Sequence, residues 1–226
     1  MERYKRNESA LSKKENLSLR DKKVCIVGCG GLGGYIIEML SRLGVGNLTL
    51  VDGDKFEVSN LNRQLLSTPL NLGTSKAKAA SDRVSLINPE VNVVVYDVFL
   101  DKSNARRIIE GNDLVIDALD GKEARLILED QCEESGIPLI HGAIGGWYGQ
   151  VGVIYPGSRI LHQVYEGKAE KGIEEKLGNP AFTPALIASI EVSEAVKVLV
   201  GRETELKNKL LFIDILNNEF ITVDRN

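Results

Sequence analysis

The sequence predicts an α/β Rossmann-like fold: a mainly parallel sheet with helices on both faces, finished by antiparallel strands near the C-terminus. Three observations predict it. A short apolar run, Val24–Val27, is followed at once by a glycine-rich turn and then by residues at helical spacing. Downstream, short β-branched runs alternate with helical segments, the pattern of strand–helix–strand units. Beyond Gly149 the alternation stops, and the tail from Leu211 to Val223 reads as two strands about Asn217–Asn218.

In chain order, residues 1–22 are polar and read as an N-terminal arm or short helix. Val24–Val27 is a buried strand. Tyr35–Leu43 carries apolar residues at helical spacing and ends at Gly44. Leu48–Val51 is the second strand. Ser59–Leu66 reads as a short helix capped by Ser59. Thr74–Ile87 is a longer helix stopped by Asn88–Pro89. Val91–Val95 and Leu114–Ala118 are strands, Lys102–Glu110 and Glu123–Ser135 helices, and Pro138–His141 opens another strand. The segment after His141, with Gly142, Gly145 and Gly146 beside Trp147 and Tyr148, reads as a loop next to the site. Gln150–Tyr155 is a strand. Ser158–Asn179 is polar and glutamate-rich and reads as a mobile crossover loop. Thr183 caps the last helix, which has Pro184 in its first turn and ends at Gly201. The expected organisation is one domain, 1–226: an arm 1–22, a nucleotide-binding core 23–149 and a C-terminal part 150–226.

The composition narrows the function classes. Of 226 residues, 43% are hydrophobic and 27% charged, the balance of an ordinary globular protein. A net charge of −4 argues against nucleic acid as the main partner, since phosphate backbones select basic surfaces. No apolar run approaches the roughly 20 residues that cross a bilayer, and the charged start has no apolar core, so the expected location is cytoplasmic with no membrane partner. Cys25, Cys29 and Cys132 form no Cys-x-x-Cys pair, and the only histidines are His141 and His162. No zinc site is expected, and the three thiols read as packing residues.

Two segments carry the chemistry. The first is Gly28-Cys29-Gly30-Gly31-Leu32-Gly33, between a strand and a helix. Gly28, Gly30, Gly31 and Gly33 permit a tight turn whose backbone N–H groups approach a phosphate, and the helix N-terminus favours an anion. Asp52 ends the next strand, where a carboxylate can grip ribose hydroxyls. This loop alone says nucleotide without separating NAD from ATP. The second segment runs from Asp52-Gly53-Asp54 into Ser59-Asn60-Leu61-Asn62-Arg63-Gln64, with Lys76 at the start of the next helix. On a helix, Asn60, Arg63 and Gln64 share a face. An amide, a guanidinium and an ammonium together look like a triphosphate clamp, which hydride transfer does not need.

These motifs, with Asp117-Ala118-Leu119-Asp120 at a strand end and Arg3-Tyr4-Lys5-Arg6 at the front, resemble the adenylation core of the ThiF/MoeB/HesA family over nearly the whole chain. The resemblance implies that Gly31 and Asp52 hold the adenosine part of ATP. It implies that Asn60, Arg63 and Lys76 hold phosphates, with Asp54 and Gln64 beside them. It makes Asp120 the carboxylate for Mg2+, a role that also fits a charged residue at a strand end beside a nucleotide. It has Arg6 reach across a homodimer into the partner's site. The implied reaction is ATP-dependent adenylation of the C-terminal Gly-Gly carboxylate of a small ubiquitin-like sulfur-carrier protein, with release of pyrophosphate.

The chain departs from the family pattern in three places. It lacks the paired Cys-x-x-Cys motifs, its crossover segment has no cysteine, and Gly121 stands where the family has an asparagine. Adenylation without a covalent cysteine step is therefore expected. His141 reads as a satisfied structural histidine, and nothing supports a catalytic role for His162. Other acceptors remain open: a small-molecule, peptide or tRNA carboxylate. An NAD-dependent oxidoreductase and an inactive scaffold explain fewer residues.

Overall fold

A computed structural model describes residues 2–165 and 174–224. Its centre is one eight-stranded sheet in the order β3-β2-β1-β4-β5-β6-β7-β8. The strands β1 (Lys23–Val27), β2 (Asn47–Val51), β3 (Asn92–Tyr96), β4 (Leu114–Asp117) and β5 (Leu139–Gly145) run parallel. β6 (Tyr148–Ile154), β7 (Lys209–Asp214) and β8 (Glu219–Asp224) continue the sheet antiparallel.

The sequence pattern explains why β1 is apolar throughout. Val24 and Ile26 enter one core, while Cys25 and Val27 enter the other, because alternate side chains leave opposite faces of a strand. The first core packs under α2 (Gly31–Leu43), α3 (Lys76–Ile87) and α8 (Phe182–Val200). The second packs under α4 (Ala105–Ile109), α5 (Lys122–Ser135) and α6 (Ile160–Tyr165). The expected Rossmann-like sheet, helix-covered on both faces and antiparallel at its C-terminal end, is what forms. Among the described residues, no helix is long and apolar enough to cross a membrane.

Four local expectations need correction. No α-helix forms over Ser59–Leu66: a 3-10 turn covers Val58–Asn60 and irregular turns follow. Asn60 Oδ1 accepts the Glu57 N–H at 3.0 Å, so local bonds outcompete the helix, as they often do for Ser and Asn. The stretch after His141 is not a loop, because β5 continues to Gly145 and turns at Gly146–Trp147 into β6. The expected loop 158–179 is helical at α6 and at α7 (Glu174–Leu177), and its middle, 166–173, lies outside the described residues. Thr183 does not cap α8. That N-cap is Ala181, and the Thr183 hydroxyl donates instead to the Gly146 carbonyl at 2.6 Å.

Candidate active site

The strand order reverses between β1 and β4, so their C-terminal ends open a crevice where open α/β sheets take ligands. A cavity of about 410 Å3 lies there. Its floor is the loop after β1. Gly28 adopts φ +102°, and a Cβ on it would strike the Ala118 backbone. Gly33 lies so close to the Gly28 carbonyl that a Cβ would collide with its oxygen. Gly30 is the N-cap of α2 and offers no side chain, which leaves the first N–H groups of α2 free to face an anion.

The structure brings Gly28, Gly30, Gly31, Asp52, Asp54, Arg63, Gln64, Lys76 and Asp120 onto the wall of this cavity. Asp52 organises the loops: its carboxylate accepts the Cys29 N–H at 2.7 Å and the Asp54 N–H at 2.8 Å. Burial pushes its carboxyl above the usual range, against those two bonds and the nearby Lys76 ammonium. Lys76, only 7% exposed as the first residue of α3, pairs with Asp54 at 3.0 Å. The Arg63 guanidinium curls back to the Ser59 carbonyl and the Asn62 amide oxygen, each at 2.9 Å. Gln64 Oε1 is buried without a hydrogen-bond partner, a polar atom awaiting a donor.

Asp120 is exposed and lines the same cavity. It does not cap α5, since the N-cap is Gly121. One exposed carboxylate on the cavity wall fits magnesium, which prefers a carboxylate or two plus nucleotide oxygens. No group of three or more His, Cys, Asp or Glu side chains that could hold a metal occurs among the described residues, so a metal here would rely on the nucleotide for its remaining ligands.

Three expected site residues are elsewhere. Gly33 is buried behind the loop and serves its packing. The Asn60 side chain is committed to the Glu57 turn and is absent from the cavity wall. Arg6 is exposed at the far end of α2, because neighbouring Tyr4 lies against Gly44 and accepts a bond from Asn88 at 2.7 Å.

Arg125, Phe99 and Asn179 line the cavity and were not anticipated. A signal for Arg125 exists. Arg125, Leu128, Glu129 and Cys132 occupy the buried stripe of α5, and two charged residues on such a stripe call for partners. Asp117 and His141 are likewise joined, directly opposite each other on β4 and β5. His141 Nδ1 meets Asp117 Oδ2 at 2.7 Å and its Nε2 accepts from Gln150 at 2.9 Å, a neutral ring whose pKa burial keeps low.

The profile of the ThiF family matches residues 4–225. The chain belongs to the ThiF family. It is 36% identical over 208 residues to the SAMP-activating enzyme E1 of Haloferax volcanii, covering 91% of this chain and 77% of that one. The sulfur carrier protein adenylyltransferase of Thermus thermophilus is 36% identical over 219 residues, with 92% and 81% covered. The molybdopterin-synthase adenylyltransferase of Escherichia coli is 32% identical over 208 residues, with 90% and 83% covered. This chain is an adenylyltransferase of the ThiF type. Among solved structures, the E. coli tRNA N6-threonylcarbamoyladenosine dehydratase bound to ATP superposes with a TM-score of 0.76 at 26% identity, covering 88% of this chain and 94% of that one. The ATP complex of E. coli MccB, at 19% identity and a TM-score of 0.82, covers 98% and 70% and shares the fold.

Proposed function

We propose that this protein adenylates the C-terminal Gly-Gly carboxylate of a small ubiquitin-like sulfur-carrier protein, using ATP and Mg2+. The observation that carries the reading is one cavity, at the sheet's switch point, lined by the glycine loop, Arg63, Lys76 and Asp120. The names of the relatives above support the carrier as acceptor. Residues 1–226 would act as one adenylation unit, in the cytoplasm, as a homodimer.

The chemistry follows from the charges. Gly28, Gly30 and Gly31 let the loop backbone approach the nucleotide, with Asp52 holding the loop and gripping the ribose. Lys76 and Arg63 exchange their present partners for phosphate oxygens and offset the charge that grows on the leaving pyrophosphate. Gln64 Oε1 would accept from a hydroxyl or amine of the nucleoside, and Asp54 holds Lys76 in place until the phosphates take it over. A carboxylate oxygen of the carrier attacks the α-phosphorus, the bond to the bridging oxygen breaks, and pyrophosphate departs, leaving an acyl adenylate. Magnesium held at Asp120 would supply further charge neutralisation when bound. No covalent enzyme intermediate is required, and positioning with electrostatics carries the step. The cations have no use in hydride transfer, so the NAD alternative leaves Arg63 and Lys76 unexplained.

The test is ATP–pyrophosphate exchange with carriers whose Gly-Gly terminus is intact or removed. Exchange that needs the intact terminus and magnesium, and falls at least about a hundredfold in Arg63→Ala, is the expected result. ATP binding with no exchange for any carrier would transfer the reading to a small-molecule, peptide or tRNA carboxylate.

A further inference from the structure

Behind Asp120 lies a closed ring of five side chains from five different elements. Arg125 of α5 donates from Nη1 to the Tyr165 hydroxyl of α6 at 2.6 Å. Gln150 of β6 donates from Nε2 to that hydroxyl at 3.1 Å and to His141 Nε2 of β5 at 2.9 Å. His141 Nδ1–H donates to Asp117 Oδ2 of β4 at 2.7 Å, and the same oxygen stands 3.6 Å from Arg125 Nε. The Arg125 guanidinium also lies 5.5 Å from the Tyr165 ring centroid. Asp117 and His141 are fully buried and Arg125 is 7% exposed, so little water competes for these bonds.

The ring grips the β4–α5 turn at two points. Asp117 Oδ1 accepts the Leu119 N–H at 3.0 Å, and Arg125 Nη2 donates to the Leu119 carbonyl. Both peptide groups of Leu119 are thereby fixed, and the second is the one that leads into Asp120. Gly121, the N-cap of α5, has no side chain to cap the helix, so these two bonds hold the turn from outside it.

We infer that Arg125 and Tyr165 are positioning residues for Asp120. Through Leu119 they aim its carboxylate at the metal that accompanies ATP. The inference rests on the proposed role of Asp120 and adds what sets its geometry. It also ties that geometry to the seating of α6 on α5, because Tyr165 is the last residue of α6. Outer-shell partners of this kind commonly change metal affinity by about 10- to 100-fold when removed.

The experiment is calorimetric titration of the full chain with ATP, once with magnesium and once with a chelator. The quantity read is the ratio of the two affinities. Asp120→Asn sets the reference for a lost metal ligand and should abolish the magnesium enhancement. Tyr165→Phe removes one hydroxyl, keeps the ring beneath Arg125 and lies off the cavity wall. It should lower the ratio about tenfold, leave the chelator affinity unchanged and keep Tm within about 2 °C of wild type. Arg125→Lys retains charge but not the fork, and should not rescue the ratio. A merely structural role would lower Tm or weaken both affinities alike. A wild-type ratio in both Tyr165→Phe and Arg125→Lys would overturn the inference. Full magnesium enhancement in Asp120→Asn would instead sink the role of Asp120, and the ring would have nothing to position.

Discussion

One methyl group separates two uses of glycine in the loop after β1. At Gly33 an added Cβ collides with the Gly28 carbonyl oxygen, whereas at Gly31 the nearest neighbour is the Pro184 side chain at 3.8 Å. Gly33→Ala should therefore cost about 2–3 kcal/mol of stability through overpacking, read as a lower urea midpoint. Gly31→Ala should keep the midpoint and weaken ATP binding, since its backbone faces the cavity. Equal loss of stability in both would contradict the contrast. Glu191 poses a second single-residue question. It is fully buried on α8 against Gly142, both carboxylate oxygens lack hydrogen-bond partners, and burial raises its pKa well above the usual range. A raised pKa means the folded state holds a proton the unfolded chain gives up, so this contribution to stability is present below the unfolded value and lost as pH rises. Relative to wild type, Glu191→Gln should gain in Tm as pH is taken upward from about 4. A difference that is flat with pH would show that Glu191 does not titrate between the two states.

The elements that were legible in the sequence owe their form to local pattern, and those that were not owe it to distant partners. β1, α2 and α3 announced themselves through apolar runs, helical spacing and end signals at Gly44 and Asn88. The glycine loop, Asp52, Lys76 and Asp120 were legible as cavity lining because each sits next to a strand or helix end, whereas Arg63 reaches the cavity from a turn and not from the expected helix. Arg125 showed only as a charge on the buried stripe of α5, because partners such as Asp117, Leu119 and Tyr165 come from other parts of the chain. α6 hid in a polar stretch because Glu129 of α5 caps it, accepting the Leu161 and His162 N–H groups. Thr183 carried a cap signal that a tertiary bond to Gly146 overrode. Non-local pairing also anchors the N-terminal helix, α1 (Lys13–Ser18). Glu15 completes its capping box with Ser12 and pairs with Arg202, just past the end of α8, at 2.6 Å. The Arg202 guanidinium, then the Ser12 bonds, hold the Glu15 carboxyl down to about 2. A depressed pKa gives stability that is full above the unfolded value and is lost as pH falls toward the folded one. The Tm gap between wild type and Glu15→Gln should thus be widest near neutrality and close between about pH 4.5 and 2. A gap that persists at pH 2 would assign the loss to something other than the charge.

At the scale of the whole molecule, the decisive separation is between the two ends of α2. Its N-terminus opens the cavity, while Tyr4 packs on Gly44 at its C-terminus. Thirteen helical residues at 1.5 Å each put about 20 Å between those ends. Arg6, two residues from Tyr4, is therefore remote from the cavity of its own chain, and an arginine side chain cannot bridge that distance. If Arg6 serves the reaction, as the family resemblance implies, it must serve the site of a second copy. Complementation separates this from a solubility role for an exposed arginine. Arg6→Ala keeps an intact cavity but lacks the donor, whereas Arg63→Ala keeps the donor but spoils the cavity. Each variant alone should show almost no ATP–pyrophosphate exchange. In a dimer of one of each, the Arg6→Ala protomer's cavity receives the intact Arg6 of the other, and one site in two is whole. After equal amounts are mixed and subunits have exchanged at random, half the dimers are mixed, so activity should return to about a quarter of wild type. Full activity in Arg6→Ala alone would remove Arg6 from the reaction. No recovery on mixing, with subunit exchange verified by tagged pull-down, would remove the shared site.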